Sequence, residues 1–177
     1  MSYGRELVSF ALAHGDLTQD ANEDTSADAI GALARSDPLG AALWRLTSTM
    51  DAASFLAARG YLSAILRKDG QAAPTVTHAV AHSAIEEWLA CQCHTCGGRR
   101  FVIVESVKTK CEPCGGTGRG RHSDDVRMAA LGMGPASYSK VTAIFERAHE
   151  LLVAADARVE RQVSYQLERK TLKKKRK

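Results

Sequence analysis

Over most of the chain, apolar residues recur every three or four positions, which is the spacing of one face of an α-helix. Asp37 and Pro38 mark a helix start, because aspartate caps the free N–H groups of a first turn and proline suits the first helical position. Pro74 starts another helix. The residues that keep the helical spacing are Leu39, Leu43, Leu46, Met50, Phe55, Leu62, Ile65, Leu66, Val76, Val80, Ala84 and Trp88. The pattern predicts a helical region over residues 36–90.

The first 35 residues carry a weaker pattern. One short apolar stripe predicts an N-terminal helix over residues 1–14. Residues 15–35 begin with an acidic, polar stretch that has no aromatic side chain, which is typical of a flexible chain. We therefore expect residues 15–35 to be an acidic flexible linker between the N-terminal helix and the helical region.

The helical pattern stops between residues 91 and 122. Phe101–Val104 and Val107 favour β-strands, and Glu105–Ser106 between them can form a turn. The segment therefore predicts a two-stranded hairpin inserted into a mainly α chain.

This hairpin segment holds all five cysteines of the protein. Four of them form two C-x-x-C pairs, each followed directly by Gly-Gly. Two thiolates of one tight turn can bind the same tetrahedral ion, and a hairpin brings the second turn back to complete the site. The spacing predicts one structural Zn²⁺ bound by Cys93, Cys96, Cys111 and Cys114. Four thiolates leave no open coordination position, so the metal should stabilise the fold rather than do chemistry.

Other roles for the cysteines fit the sequence less well. A thioredoxin-like redox pair needs a surrounding βαβ pattern, which neither pair has. Disulfides need an oxidising compartment, and the chain shows no signal peptide. Cys91 and His94 are alternative ligands, although we expect His94 to face outwards and Cys91 to be a free thiol at a helix end.

A further helical pattern follows the hairpin. Ser123 is a candidate N-cap for a short helix that ends at Leu131, and Gly132–Pro135 stops it. A longer helix is predicted to begin near Ala136. Its apolar stripe consists of Val141, Ile144, Phe145, Ala148, Leu152, Ala155, Val159 and Val163. A helix, a turn with glycine and a longer helix predict a helix-turn-helix over residues 123–167, with a plain helical hairpin as the alternative.

In a helix-turn-helix, the first residues of the second helix contact base edges, and basic side chains nearby contact phosphates. The predicted DNA-binding residues are Ser137, Tyr138, Ser139, Lys140, Arg147, Arg127, Arg119 and Arg121.

Charge is unevenly distributed along the 177 residues, whose net charge is +4. Residues 1–90 carry 6 Lys/Arg and 11 Asp/Glu, a net −5, whereas residues 91–177 carry 18 and 9, a net +9. Residues 168–177 form a dense basic tail that can attract phosphate without sequence preference. The second half is therefore the candidate nucleic-acid face. We expect no membrane contact and a cytosolic protein, because no apolar run reaches the roughly 18 residues of a membrane span.

The order of these parts resembles the lambdoid-phage Q antitermination proteins. The resemblance covers roughly residues 74–167. It rests on an alanine-rich helix that enters the hairpin, on Cys93-His-Thr-Cys96-Gly, on Cys111-Glu-Pro-Cys114-Gly-Gly-Thr-Gly118, and on the helical pair from Ser123. The chain departs from this pattern in Cys91, the acidic linker and the lysine-rich tail.

Q proteins bind a DNA element that overlaps a late promoter, engage RNA polymerase paused just downstream with its sigma factor bound, and make it read through terminators. The resemblance therefore implies a transcription antitermination factor without enzymatic activity, in the cytoplasm of a bacterial host. Its implied partners are double-stranded DNA and bacterial RNA polymerase with its sigma factor. The implied zinc ligands are the four paired cysteines, and the helix from Ser137 is the implied DNA reader.

Two alternative functions stay open. A DnaJ-like zinc-binding chaperone module is suggested by the run Cys111-x-x-Cys114-Gly-Gly-Thr-Gly, but the other repeats and the His-Pro-Asp helical domain of that family are missing. A small phage nuclease with a structural zinc would need a cluster of metal-binding carboxylates and histidines. The candidates form no recognised constellation; they are Glu86, Glu87, His122, Asp124 and Asp125.

Overall fold

The structure is a computed structural model that describes Leu33, residues 36–70 and residues 72–174, with side chains as far as Arg169. This part of the chain is mainly helical, with one two-stranded antiparallel sheet. Its elements are, in order, α1 (Pro38–Thr49), α2 (Ala52–Lys68), α3 (Pro74–Ala90), β1 (Phe101–Val104), β2 (Val107–Lys110), α4 (Asp124–Leu131), α5 (Pro135–Tyr138) and α6 (Thr142–Lys174). The predicted N-terminal helix over residues 1–14 lies outside the described residues, as does the predicted linker over 15–35 apart from Leu33. None of the described helices is both long enough and apolar enough to cross a membrane.

Most helix ends lie where local sequence signals predict them. The Asp37 carboxylate accepts the Gly40 N–H at 2.9 Å, and Pro38 occupies the first helical position of α1. The Asp51 carboxylate accepts the Ser54 N–H at 2.8 Å and caps α2 in the same way. These caps satisfy N–H groups that a first helical turn leaves without a backbone partner.

The chain divides into two compact units, and the first comprises residues 1–61 and 154–177. In its described part, α1 packs on the second half of α6. Gly40 marks the close approach, because a Cβ added there would lie 2.6 Å from the Ala155 carbonyl oxygen. The buried Trp44 indole donates a hydrogen bond to the buried Asp156 carboxylate at 2.8 Å. The buried cluster consists of Leu33, Ala41, Trp44, Val159 and Val163, with Leu167 packed against it.

The second unit comprises residues 62–153 and contains the sheet. Helix α3 and the first half of α6 supply most of its buried apolar side chains, as their predicted stripes require. The larger ones are Leu62, Leu66, Val80, Ile85, Trp88, Ile144, Phe145 and Leu152. Helices α2 and α6 each contribute residues to both units.

The prediction for the helix after Gly132 is wrong in one respect. The long helix starts at Thr142 rather than near Ala136, and α5 is a separate single turn. The Ser139 and Thr142 hydroxyls donate to the carbonyls of Ala136 and Tyr138 at 3.0 and 3.1 Å. Between α5 and α6 the Lys140 and Val141 N–H groups donate to carbonyls three residues back, at 3.2 and 2.8 Å, so the four-residue spacing of α-helical hydrogen bonds is interrupted there.

Candidate metal centre

The sheet is a tight hairpin that presents the cysteines at its base. Phe101 pairs with Lys110 and Val104 with Val107, so Glu105 and Ser106 form the two-residue turn. Both turn residues have positive φ, 49° and 68°, as a two-residue hairpin turn of this twist requires. Strand β1 begins five residues after Cys96, and strand β2 ends directly before Cys111. The predicted strands and turn are therefore confirmed.

The four paired cysteines meet in one buried cluster. Their sulfur atoms all lie within 4.8 Å of one another. The Cys93–Cys111 and Cys96–Cys114 sulfur pairs are each 3.8 Å apart. Two ligands of a tetrahedral ion with Zn–S bonds of about 2.3 Å lie about 3.8 Å apart. The cluster therefore has the size that a tetrahedral tetrathiolate site requires, and it could hold a metal ion.

The two C-x-x-C turns repeat one backbone conformation. The glycine after each pair, Gly97 and Gly115, has φ of 56°. Gly118 joins the two turns: its N–H donates to the Cys114 sulfur at 3.3 Å, and its carbonyl accepts the Cys93 N–H at 3.0 Å. A side chain at Gly118 would be strained, because φ is +75° and a Cβ would lie 2.6 Å from the Gly98 carbonyl oxygen.

Hydrogen bonds favour the thiolate form of Cys93 and Cys114, whereas burial opposes it at Cys111. The backbone N–H of Cys96 donates to Cys93 and lowers the pKa of that thiol to about 6. Burial raises the pKa of Cys111 to about 12. Burial also acts to raise the pKa of Cys114, but the N–H of Gly118 and a thiol hydrogen bond from Cys111 outweigh it and lower that pKa. A cation would stabilise all four as thiolates, since a bound metal is the largest local charge.

The two alternative ligands lie outside the cluster. Cys91 ends α3, half-buried, with its sulfur 3.4 Å from Nδ1 of His122. Burial raises the pKa of the Cys91 thiol, with a smaller contribution from Glu87. His94 is exposed, as predicted. Among the described residues, only the four paired cysteines form a metal-sized group of three or more such side chains. The carboxylates and histidines of the nuclease alternative form no such group there.

The chain segments that enter and leave the hairpin are held together below the cysteines. Gln92 and Arg119 form an antiparallel bridge, and the Gly120 N–H donates to the Cys91 carbonyl at 3.1 Å. The Arg119 guanidinium lies 4.7 Å from the centre of the Trp88 ring and donates to the Trp88 carbonyl at 2.7 Å. Arg119, predicted to contact DNA, therefore anchors the hairpin to α3.

A buried ion pair connects α3 to α4. Arg127 donates to both carboxylate oxygens of Glu87, at 2.9 and 2.8 Å. The side chains are only 4% and 2% exposed. The hydrogen bond to Glu87 raises the pKa of Arg127, so the guanidinium stays charged. Arg127 also lies 4.5 Å from the centre of the Phe145 ring. A charged side chain at this depth cannot reach a phosphate, which corrects the prediction that Arg127 contacts DNA.

Sequence reasoning missed Glu87 as the partner, although a signal was present. Glu87 lies three residues after Ala84 and seven after Val80, on the apolar face of α3. A carboxylate there must be paired when it is buried. Nothing local identifies Arg127, forty residues away, as the cation.

The remaining predicted DNA-binding residues divide into three groups. Tyr138 is buried and its hydroxyl donates to Asp124 at 3.0 Å, so its ring is not available to bases in this structure. Arg121 pairs with Glu146, and Arg147 pairs with Asp69 and Glu150, all near the surface. The exposed members without an ion pair among the described residues are Ser137, Ser139 and Lys140.

Comparison of the chain with protein-family models, with curated proteins and with solved structures gives no match.

Proposed function

We propose that Cys93, Cys96, Cys111 and Cys114 bind one structural Zn²⁺. The observation that supports this best is the spacing of the sulfurs, 3.8 Å within two pairs and at most 4.8 Å overall. A buried set of four sulfur ligands suits Zn²⁺ and leaves no position for a substrate. The metal then replaces the large apolar core that a hairpin of two four-residue strands lacks.

The zinc element serves as a rigid connection between α3 and α4. The Gln92–Arg119 bridge, the Arg119–Trp88 contact and the Glu87–Arg127 pair all lie where the hairpin joins these helices. Residues after the connection are thereby held in fixed positions relative to α3. We propose that the surface presented in this way consists of the exposed residues Ser137, Ser139 and Lys140, and that it binds double-stranded DNA together with Arg121 and Arg147.

On this basis we propose that the protein is a non-enzymatic transcription antitermination factor of the kind that the lambdoid-phage Q proteins represent. It binds DNA near a late promoter and modifies bacterial RNA polymerase, with sigma factor bound, to read through terminators. Support comes from the order of parts between residues 74 and 167: a helix, two C-x-x-C turns on a hairpin, then shorter and longer helices. The basic second half of the chain adds to it.

Transcription in vitro tests the function. A template carries the cognate late promoter and a terminator, and host RNA polymerase with sigma factor is added with or without the zinc-loaded protein. We expect more transcripts that extend past the terminator when the protein is present. Unchanged termination with folded, zinc-loaded protein would refute the antitermination proposal.

DNA binding is tested separately with Lys140→Ala. The variant should weaken binding to promoter DNA in a gel-shift or anisotropy titration at moderate salt. Lys68→Ala is a matched control, because Lys68 is an exposed lysine in the last turn of α2 within the same unit. Equal affinities for wild type and Lys140→Ala would place the DNA surface elsewhere.

A further inference from the structure

The second half of α6 has an exposed face that the proposed function does not use. Arg158, Arg161, Tyr165 and Arg169 follow one another at intervals of three and four residues, so they lie on one side of the helix. All four are exposed, and Tyr165 keeps 54% of its surface accessible. The Arg169 guanidinium lies 5.6 Å from the centre of the Tyr165 ring. The Tyr165 ring is therefore an exposed aromatic surface with Arg161 and Arg169 on either side of it along the helix.

A groove of about 440 Å³ runs beside this face, within the first unit. Its volume is that of a small-molecule site. The Asp37–Arg158 ion pair, at 2.9 Å, holds one side of it. Arg161 makes no ion pair with any described residue. The side chains that line the groove are Ser36, Asp37, Arg158, Arg161, Gln162 and Tyr165.

Charge along this end of the helix is strongly positive. Residues 158–177 contain nine Lys/Arg and two Asp/Glu, a net +7, although the whole chain has only +4. The two acidic residues are Glu160 and Glu168. The helix backbone is continuous to Lys174, and Arg158, Arg161 and Arg169 are exposed along its described part. Polyanions are the partners that such a distribution attracts.

We propose that this face and groove, defined by Ser36, Gln162, Arg161, Tyr165 and Arg169, bind single-stranded nucleic acid. One base stacks on the Tyr165 ring and enters the groove. There the Ser36 hydroxyl, which donates to the Leu33 carbonyl at 2.7 Å, can accept from the polar edge of the base. The Gln162 amide can donate to that edge or accept from it. Arg161 and Arg169 neutralise the phosphates on either side.

The chemistry of the groove favours a single strand over the other polyanions. A duplex keeps its bases stacked inside, so it cannot offer a ring to Tyr165. An acidic peptide satisfies the arginines but has no flat ring to stack. Stacking platforms flanked by basic side chains are the usual combination for single strands, and they tolerate any base sequence.

The test measures the fluorescence anisotropy of a labelled 12-nucleotide oligouridylate in a titration with the zinc-loaded chain of 177 residues. Tyr165→Ala should weaken binding about five- to hundredfold, because stacking on an aromatic side chain contributes on that scale. Tyr165→Phe should bind like wild type, since it keeps the ring. Neither change alters charge, so the salt dependence should stay the same. Circular dichroism checks that helix content is unchanged.

A second pair of variants tests the phosphate contacts. The plot of log affinity against log salt concentration has a negative slope. Arg161→Gln should make this slope less steep by about 0.7, the value for one phosphate contact on a single strand. Arg45→Gln is the control, because Arg45 is also exposed and in the same unit but does not line this groove. It should leave the slope unchanged.

Three results would overturn the proposal. The first is equal affinity of Tyr165→Ala and wild type for oligouridylate. The second is that wild type binds a twelve-residue polyglutamate as tightly as it binds oligouridylate. The third is a salt dependence of oligouridylate binding that is the same for Arg161→Gln and wild type. Oligothymidylate in place of oligouridylate distinguishes DNA from RNA, and binding of either strand supports the site. Lys140→Ala should leave oligouridylate binding unchanged, so failure of the duplex-DNA proposal and failure of this one are distinguishable.

Discussion

Replacing the buried Arg127 by methionine should lower the free energy of unfolding more than replacing any of the exposed arginines. Methionine has a similar length but no charge, so the Glu87 carboxylate loses two hydrogen bonds of 2.9 and 2.8 Å. Glu87 is 2% exposed and would keep only the His122 N–H, at 3.1 Å, as a partner in this network. Breaking a buried ion pair by removing one member costs about 3–5 kcal/mol.

That loss is large compared with the total stability of a domain, about 5–15 kcal/mol. The double variant Glu87→Leu with Arg127→Met should recover part of it, because two apolar side chains of similar volume leave no buried charge. The two single changes should therefore be non-additive by roughly 0.5–3 kcal/mol. The sign follows from the structure: either single change leaves one buried charge, and the double change leaves none.

Urea unfolding followed by circular dichroism, at pH 7 with excess Zn²⁺, measures these free energies. Arg147→Met is the control, since Arg147 forms its ion pairs near the surface and its loss should cost much less. The reasoning is refuted if Arg127→Met unfolds at the wild-type urea concentration but binds DNA more weakly with a shallower salt dependence. That result would return Arg127 to the DNA-contact surface.

Three further predictions concern other parts of the molecule. Cys111→Ser should lose bound Zn²⁺ in elemental analysis and melt at a lower temperature, because structural zinc contributes about 10–16 kcal/mol in zinc-finger peptides; wild-type zinc content and melting would contradict the site. Gly40→Ala should lower the free energy of unfolding by about 1–3 kcal/mol, since its Cβ would lie 2.4 Å from Val159. Gly60→Ala, where a Cβ meets nothing within 4 Å, should instead raise the free energy of unfolding by up to about 1 kcal/mol. Equal effects of Gly40→Ala and Gly60→Ala would contradict the close contact between α1 and α6 at Gly40. Burial lowers the pKa of His149, and the charge of Arg121 adds to this effect. The unfolded chain therefore takes up a proton at His149 more readily than the folded chain does. The contribution of the neutral ring to stability is complete above the unfolded pKa of about 6.5 and falls as the pH drops below that value. The stability difference between wild type and His149→Gln should therefore shrink between pH 7 and pH 5 in urea unfolding, and a constant difference would show that His149 does not titrate as its surroundings require.

Much of the local structure could be predicted because its causes lie within a few residues. The Asp37 cap contacts an N–H three residues away, and the hairpin turn at Glu105–Ser106 joins strands of only four residues each. The meeting of the four paired cysteines also follows from spacing, since each C-x-x-C turn positions its own two sulfurs. In these cases the residues that determine the structure are neighbours in the sequence.

The break between α5 and α6 needed the tertiary structure. The Ser139 and Thr142 hydroxyls are visible in the sequence, but such residues also occur inside helices. Burial of Tyr138, with its hydroxyl bound to Asp124, fixes the single turn of α5 in place. The contact that holds α5 spans fourteen residues, which a local pattern does not reveal.

The sequence by itself determined the helical segments, the hairpin and the cysteine cluster, because periodicity and spacing act over short distances. Only the tertiary structure decided what each arginine does. Arg119 stacks on Trp88 and Arg127 is buried against Glu87, whereas Arg161 is exposed beside a groove. Arginine is equally basic at each position, but its function depends on whether folding brings a carboxylate, an aromatic ring or water to its guanidinium. Those partners lie 31 and 40 residues away in the first two cases, beyond the reach of any local pattern.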